Sequence, residues 1–285
     1  MPEGIEVEQA RRLVEARALG REIAGVDAPD AWYLKRGLIA AALDAALPGH
    51  RFTAARRRGK LLLLETDRRG PTLGLHLGMS GRVLIDDEAA GDPLVYGSNR
   101  ENPLWHRFTV RFADSGSLAL RDPRRLGAVE LDPDEDRLGP DAFTITQAEL
   151  DRVVTRSRAP VKAVLMDQAR IAGLGNLLVD EVLWRAGIDP VRTARELDRN
   201  ERRRLHRAIG RTLTLTSSAA GRTRGTTCRN ACREGSAPRT GRRSSDAPSP
   251  VAPRSPARST SADRTRGGRE AGSSHSQTRH GPIGS

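Results

Sequence analysis

The sequence predicts an α+β fold. An N-terminal helix leads into an antiparallel β-sandwich, a helical part follows, and a disordered tail ends the chain. Three observations carry this reading. Between residue 21 and about 131, apolar residues alternate with polar ones at a period of two. From about residue 140 they recur at helical spacing instead. From Ser218 to Ser285 there is no Leu, Met, Phe, Tyr or Trp at all, so that stretch cannot bury enough apolar surface to offset its chain entropy. The boundaries drawn from these shifts are 1–135, 136–217 and 218–285.

Each element has its own signal. Residues 3–19 read as a helix, with Val7, Ala10, Val14 and Ala18 on one face and Gly20 as the stop. Leu61–Glu65 is an apolar run. Leu73, Leu75 and Leu77 alternate, as do Phe108, Val110 and Phe112, then Leu118 and Leu120. Turn residues cluster at 86–92 and 97–103. Short alternating strands of this kind pack as a sandwich or barrel. Thr146-x-x-Glu149 is a capping box ahead of Leu150, Val153 and Val154. Val161–Ala169 is a second helix, and Gly173-Leu-Gly175-Asn176 is a tight turn opening a third, which runs to about Ala186 and which Asp189-Pro190 breaks. Asp198-x-x-Glu201 caps the last, bearing Leu205, Ala208, Ile209 and Leu213.

Composition narrows the class of function. The chain has 285 residues and a net charge of +12, which points to a polyanionic partner. The tail after 217 holds 13 Arg against four acids, a net +9, which leaves +3 for the first 217 residues. Any nucleic-acid surface in the body is therefore a local patch. Both cysteines, Cys228 and Cys232, fall in the tail, so no disulfide framework exists. No apolar run approaches the roughly 18–20 residues of a membrane span, and no signal peptide is seen. A soluble, cytoplasmic monomer is expected.

The first residues, Met1-Pro2-Glu3, suggest covalent chemistry. Removal of the methionine leaves Pro2 as a secondary amine. An α-amine has a pKa of about 7.7–8, so it is far more nucleophilic at neutral pH than a lysine. Such an amine condenses with an aldehyde carbon to an iminium, and Glu3 beside it can shuttle protons. Met-Pro-Glu alone is equally what methionine removal leaves in any chain, so the other motifs decide. Only three lysines occur, Lys35, Lys60 and Lys162. Arg56-Arg-Arg-Gly-Lys60 is either a solvated basic edge or a phosphate-contacting, proton-handling site. His76-Leu-Gly-Met79-Ser-Gly81 places a methionine at a loop tip, where an apolar wedge can fill the hole left by an extruded nucleotide. Asp122-Pro-Arg124-Arg125-Leu-Gly127 is a second loop whose arginines suit phosphates or an orphaned base. Gly173-Leu-Gly175-Asn176 presents backbone N–H groups at a helix start, a ready phosphate site.

Together these motifs resemble the formamidopyrimidine-DNA glycosylase / endonuclease VIII family of base-excision repair enzymes over residues 1 to about 215. Asp167-Gln-x4-Gly-Leu-Gly-Asn-Leu-Leu-Val-Asp-Glu181 is similar to that family's helix–two-turn–helix signature. The resemblance implies a β-sandwich and a helical DNA-binding domain, with double-stranded DNA carrying oxidised bases or abasic sites held between them. It implies Pro2 as the nucleophile at the sugar C1′ and Glu3 as general acid/base. It implies Lys60 at a phosphate and in elimination, and β,δ-elimination through a Schiff base. Met79 and Arg124 match the void-filling set, Lys162 and Asn176 phosphate ligands, and His76, His106, Arg125 and Arg158 further DNA contacts.

Three departures stand out. Leu126 replaces a frequent aromatic wedge. Met-Pro-Glu-Gly leans to the endonuclease VIII branch while Ile5-Glu-Val-Glu8 and the Met79 loop lean the other way, so oxidised purines are slightly favoured and oxidised pyrimidines stay open, as does a damaged-DNA-binding protein without turnover. The family's four-cysteine zinc finger is absent. Cys228-x3-Cys232 with His275 and His280 is too widely spaced to replace it. The chemistry itself requires no cofactor. The abrupt change near Thr216 reads as a frameshift, with a genuine basic arm as the rival explanation.

Overall fold

The computed structural model describes residues 2–89 and 102–219, all within one compact unit. The tail from 220 onward, with Cys228, Cys232, His275 and His280, lies outside the described residues, as do 90–101 of the two turn clusters.

Helix α1 (Gly4–Arg17) opens the chain. The sandwich follows as β1 (Ile23–Asp27), β2 (Phe52–Arg58), β3 (Leu61–Thr66), β4 (Leu73–His76), β5 (Arg82–Ile85), β6 (Glu88–Ala89), β7 (His106–Phe112), β8 (Ser117–Arg121) and β9 (Ala128–Leu131), with a short helix α2 (Ala40–Ala46) after β1. One sheet runs β1-β7-β8-β5-β6 and the other β2-β3-β4-β9, with all these pairs antiparallel. The period-two residues named from sequence fill the space between the sheets: Leu62 and Leu64, Leu73 and Leu75, Phe108 and Val110, Leu118 and Leu120 are all fully buried. Each such side chain contributes roughly 1.5–3 kcal/mol by leaving water.

The helical half holds α3 (Gln147–Thr155), α4 (Val161–Met166), α5 (Asn176–Ala186) and α6 (Arg199–Ala219). Thr146 and Glu149 form the predicted capping box on α3, and Asp198 accepts from the Glu201 N–H on α6. Two boundaries differ from the sequence reading, and one stop, placed correctly near Ala186, has another cause. Helix α4 stops at Met166, because Asp167 turns extended and gathers a tight turn through the N–H groups of Ala169 and Arg170. Helix α5 ends at Gly187 in the left-handed region (φ 62°), whose N–H bonds back into the last turn; Pro190 comes after the break and does not cause it. Helix α6 continues to Ala219, past the boundary drawn at 217.

Helix α1 serves both halves. Val7, Ala10, Val14 and Ala18 belong to the sandwich core, whereas Ile5 packs into the helical core with Leu174, Leu178, Leu205 and Ile209. The chain's first turn is therefore clamped where the two cores meet.

Candidate active site

The site is built at that junction. Glu3 precedes α1 and is 3 % exposed. Its N–H donates to Glu6 Oε2 at 2.9 Å, which fixes the entry into the helix. Its carboxylate crosses to the other half of the chain. Oε2 accepts from the N–H groups of Gly175 and Leu178, both at 3.1 Å, and Oε1 accepts from Leu177 at 2.9 Å. The N-terminus of α5, expected from its sequence to be a phosphate site, is thus occupied by a carboxylate of the chain itself. The physical reason is the usual one: unpaired N–H groups and the helix dipole favour an anion. Gly175 allows the approach, since a Cβ there would sit 2.4 Å from Glu3 Cδ. The Gly4 N–H donates to Gly173 O at 2.9 Å and completes the seam. Pro2, buried and directly before Glu3, is held at the same place.

Lys60 reaches the site from the β2–β3 hairpin. The hairpin tip is pressed on the helical half: Gly59, at φ 59°, has room for no Cβ, which would meet Ala172 Cβ at 2.7 Å. Asp141 fastens it. Its Oδ2 accepts from the Gly59 N–H and from Arg57 Nη1, each at 2.7 Å, and its Oδ1 accepts from Arg57 Nη2 at 3.1 Å. The Arg57 guanidinium also lies 3.9 Å from the Phe143 ring centroid.

Burial works against charge on both groups. It raises the Glu3 pKa above its ordinary 4.5, although the Leu177 and Leu178 N–H groups and Lys60 pull the other way. It lowers the Lys60 pKa below 10.5, against the attraction of Glu3 and Glu6. A carboxyl so raised favours the folded chain below pH 4.5 and loses that contribution as pH rises through its folded value; the depressed lysine contributes fully above 10.5 and loses it as pH falls through its own. The charged form of each group eases the charging of the other. Lys60→Met therefore moves the Glu3 pKa further up, read as a carboxyl 13C titration; a downward or absent shift would refute the coupling.

The loop residues flank this junction. His76 ends β4, and its Nδ1 accepts from the Gly78 N–H at 3.1 Å. Burial, with Lys60 nearby, lowers its pKa below 6.5 and keeps the ring neutral, against the weaker opposite pull of Asp122. Met79 is 39 % exposed at the loop tip, between Gly78 and the buried Ser80. Asp122, fully buried, ties this loop to the next one. Its Oδ1 accepts from Ser80 Oγ at 2.6 Å and the Arg124 N–H at 3.1 Å; its Oδ2 accepts from Leu126 and Gly127, both at 2.9 Å, and from the Tyr33 hydroxyl at 3.1 Å. Arg124 and Leu126 are exposed beside it.

Other candidates are engaged elsewhere. Arg125 makes a bidentate pair with Asp30, at 2.6 and 2.7 Å. Lys162, in the first turn of α4, pairs with Asp180 at 2.6 Å, and Asn176 Nδ2 donates to the same carboxylate at 3.4 Å. His106 is half-buried at the start of β7, and Arg158 is exposed between α3 and α4. Sequence reasoning missed Asp122 and Asp141. The first opens an Asp-Pro turn, a position where Asp commonly binds following N–H groups, and that was the available signal. The second carried none, since its partners lie about eighty residues away.

Among the described residues no group of three or more His, Cys, Asp or Glu could hold a metal ion.

Two domain profiles match the chain. The formamidopyrimidine-DNA glycosylase N-terminal domain covers residues 1–129, and the helix–two-turn–helix domain of the same proteins covers 138–227. A formamidopyrimidine-DNA glycosylase of Paracoccus denitrificans is 40 % identical over 210 residues, 68 % of this chain and 70 % of that protein. The chain belongs to the formamidopyrimidine-DNA glycosylase family. Another member, from Acidiphilium cryptum, is 38 % identical over 237 residues, 78 % of each chain. Among solved structures, the Lactococcus lactis family member in complex with abasic-site DNA superposes with a TM-score of 0.65 at 28 % identity, covering 76 % of this chain and 79 % of that one. Family membership accounts for the seam between the halves: the sandwich carries Glu3 and Lys60, and the helix–two-turn–helix domain caps the former.

Proposed function

We infer that this chain is a bifunctional DNA glycosylase and abasic-site lyase that excises oxidised purines, formamidopyrimidines among them. The observation that carries the reading is the junction itself. A proline that methionine removal makes the N-terminus, a protonatable buried carboxyl and a lysine of depressed pKa converge where the sandwich meets the start of α5. The names of the curated relatives support the purine preference over the pyrimidine one.

The residues divide the work as follows. Glu3, its pKa raised by burial, protonates the sugar ring oxygen and opens the ring. The Pro2 nitrogen bonds to C1′, the bond from C1′ to the base breaks, and the base departs with the electron pair and takes a proton. The resulting iminium acidifies the C2′ hydrogen. Lys60, whose neutral form burial favours, takes that proton, and the 3′ phosphate leaves. Loss of a second proton from C4′ expels the 5′ phosphate. Met79 fills the vacated stack, with Arg124 beside the orphaned base. His76, His106, Arg158, Lys162 and Asn176 supply polar and phosphate contacts, the last two after exchanging Asp180 for the backbone. No metal enters these steps, and the enzyme works as a monomer on double-stranded DNA in the cytoplasm and nucleoid. No described helix is long and apolar enough to cross a membrane.

Borohydride trapping tests this. Duplexes carrying an abasic site, a formamidopyrimidine or an oxidised pyrimidine are incubated with the full chain. A covalent adduct with the first two, lost in Pro2→Gly and in an N-terminally blocked chain, is the expected result. An adduct that survives both controls removes Pro2 from the mechanism. Binding with no adduct on any duplex leaves a damaged-DNA-binding protein.

A further inference from the structure

Helix α6 carries arginine at 199, 203, 207 and 211, a strict repeat of four. Residues four apart stack on one helix face, so the four form a ridge about 18 Å long. All four are exposed, as is Arg204 beside them. Among the described residues none of these five guanidiniums has an ion pair with a carboxylate. Arg204 Nε instead donates to Ala186 O, and Arg207 Nε to Arg203 O. The other basic residue of this helix stretch shows the contrast: Arg202 is paired with Asp151. Like charges at this spacing repel along a helix, so the ridge is unfavourable by itself and awaits an anion.

The ridge also borders a recess of about 470 Å³ lined by Gln147, Asn200, Arg203, Arg204 and Arg207. No apolar side chain lines it. That composition fits phosphate oxygens, which planar guanidinium forks bind in pairs. It does not fit a protein partner, whose contact would centre on buried aromatic or aliphatic anchors. An 18 Å ridge spans about five phosphates of one strand along a duplex axis.

Position separates this surface from the first one. The buried face of α6, with Leu205, Ile209 and Leu213, packs towards α5 and α1, the elements that hold Glu3. The arginine ridge is on the opposite face. Arg204 touches the last residue of α5, while Glu3 is bound at its first turn, about 16 Å away along the helix.

We propose that the outer ridge of α6 is a second DNA-binding surface, which holds the phosphate backbone of a duplex segment other than the one carrying the lesion. One molecule then bridges two segments and passes between them without releasing into solvent. The ridge does not depend on Pro2 chemistry.

The test uses the full chain, the Arg203→Gln/Arg207→Gln variant and undamaged duplexes labelled separately with donor and acceptor. Wild-type protein brings the labels together. The variant needs at least about tenfold more protein to do so, and its slope of log affinity against log salt falls by about 1.8, the counterions of two lost phosphate contacts. Circular dichroism and nicking of a short abasic duplex report on folding and on the first site: nicking absent from both proteins would refute the Pro2 reading and leave the bridging result standing. Equal bridging and equal slopes in the two proteins overturn the proposal. So does unchanged bridging with loss of polyglutamate capture, which would assign the ridge to an acidic polypeptide.

Discussion

Glu3→Gln abolishes base excision while nicking of a preformed abasic site persists. General acid catalysis supplies about 10²–10⁴-fold, and this carboxyl is the acid in the mechanism proposed above. An abasic sugar already opens to its aldehyde without help, so only the excision step needs the proton. The substitution is nearly isosteric, and its damage is legible in the hydrogen bonds. Glutamate presents two acceptors to the N–H groups of Gly175, Leu177 and Leu178. An amide offers one acceptor, and its NH2 faces at least one of those donors. Single-turnover assays on formamidopyrimidine and abasic duplexes measure the two steps separately. Excision within a few-fold of wild type would remove Glu3 as the acid. The pH dependence follows the same group: because burial raises its pKa, the protonated form persists above pH 4.5, and excision declines as pH climbs through the folded value.

Asp122→Asn costs about 2–4 kcal/mol of folding stability, measured by urea denaturation, because a buried carboxylate is exchanged for a group that cannot accept on both sides. Five donors converge on Asp122, three of them backbone N–H groups of Arg124, Leu126 and Gly127. Whichever way the amide turns, its NH2 meets at least one of them. Ser80→Ala removes a single hydroxyl from the same centre and is expected to cost about 0.5–1.5 kcal/mol. Excision falls more than stability alone explains in the Asn variant, since the Met79 loop is anchored through Ser80 and the Arg124 loop directly. Equal stability for Asp122→Asn and wild type would deny the anchoring role.

The alternation of Leu73 with Leu75, and of Phe108 with Val110, was enough to read the sandwich, because its inner face accepts apolar side chains and little else. The proposed catalytic trio stands out in the sequence for a different reason. Pro2 is unusual as a terminus, Glu3 adjoins it, and Lys60 stands out in a chain that uses arginine almost everywhere. Contacts between distant segments were not legible. That α5 would turn its N–H groups on Glu3 depends on a separation of more than 170 residues. The same turn was read as a phosphate cradle because the local chemistry suits any anion. The end of α5 near Ala186 was legible but its cause was not: Gly187 competes with Pro190 for the same stop, and the left-handed glycine, coming first, takes it.

The seating of Glu3 on α5 also has a meaning in time. The chain is made from its N-terminus, so the proline and its neighbouring carboxyl emerge first, yet the N–H groups that hold that carboxyl follow more than 170 residues later. At roughly 5–20 residues per second this is a delay on the order of 10–30 s. During that interval a nascent chain carries the amine but not the arrangement that makes it productive. Ile5 likewise waits for the helical core it completes. A ribosome stalled before Gly175 therefore presents a polypeptide whose Glu3 has no seat from which to serve base excision.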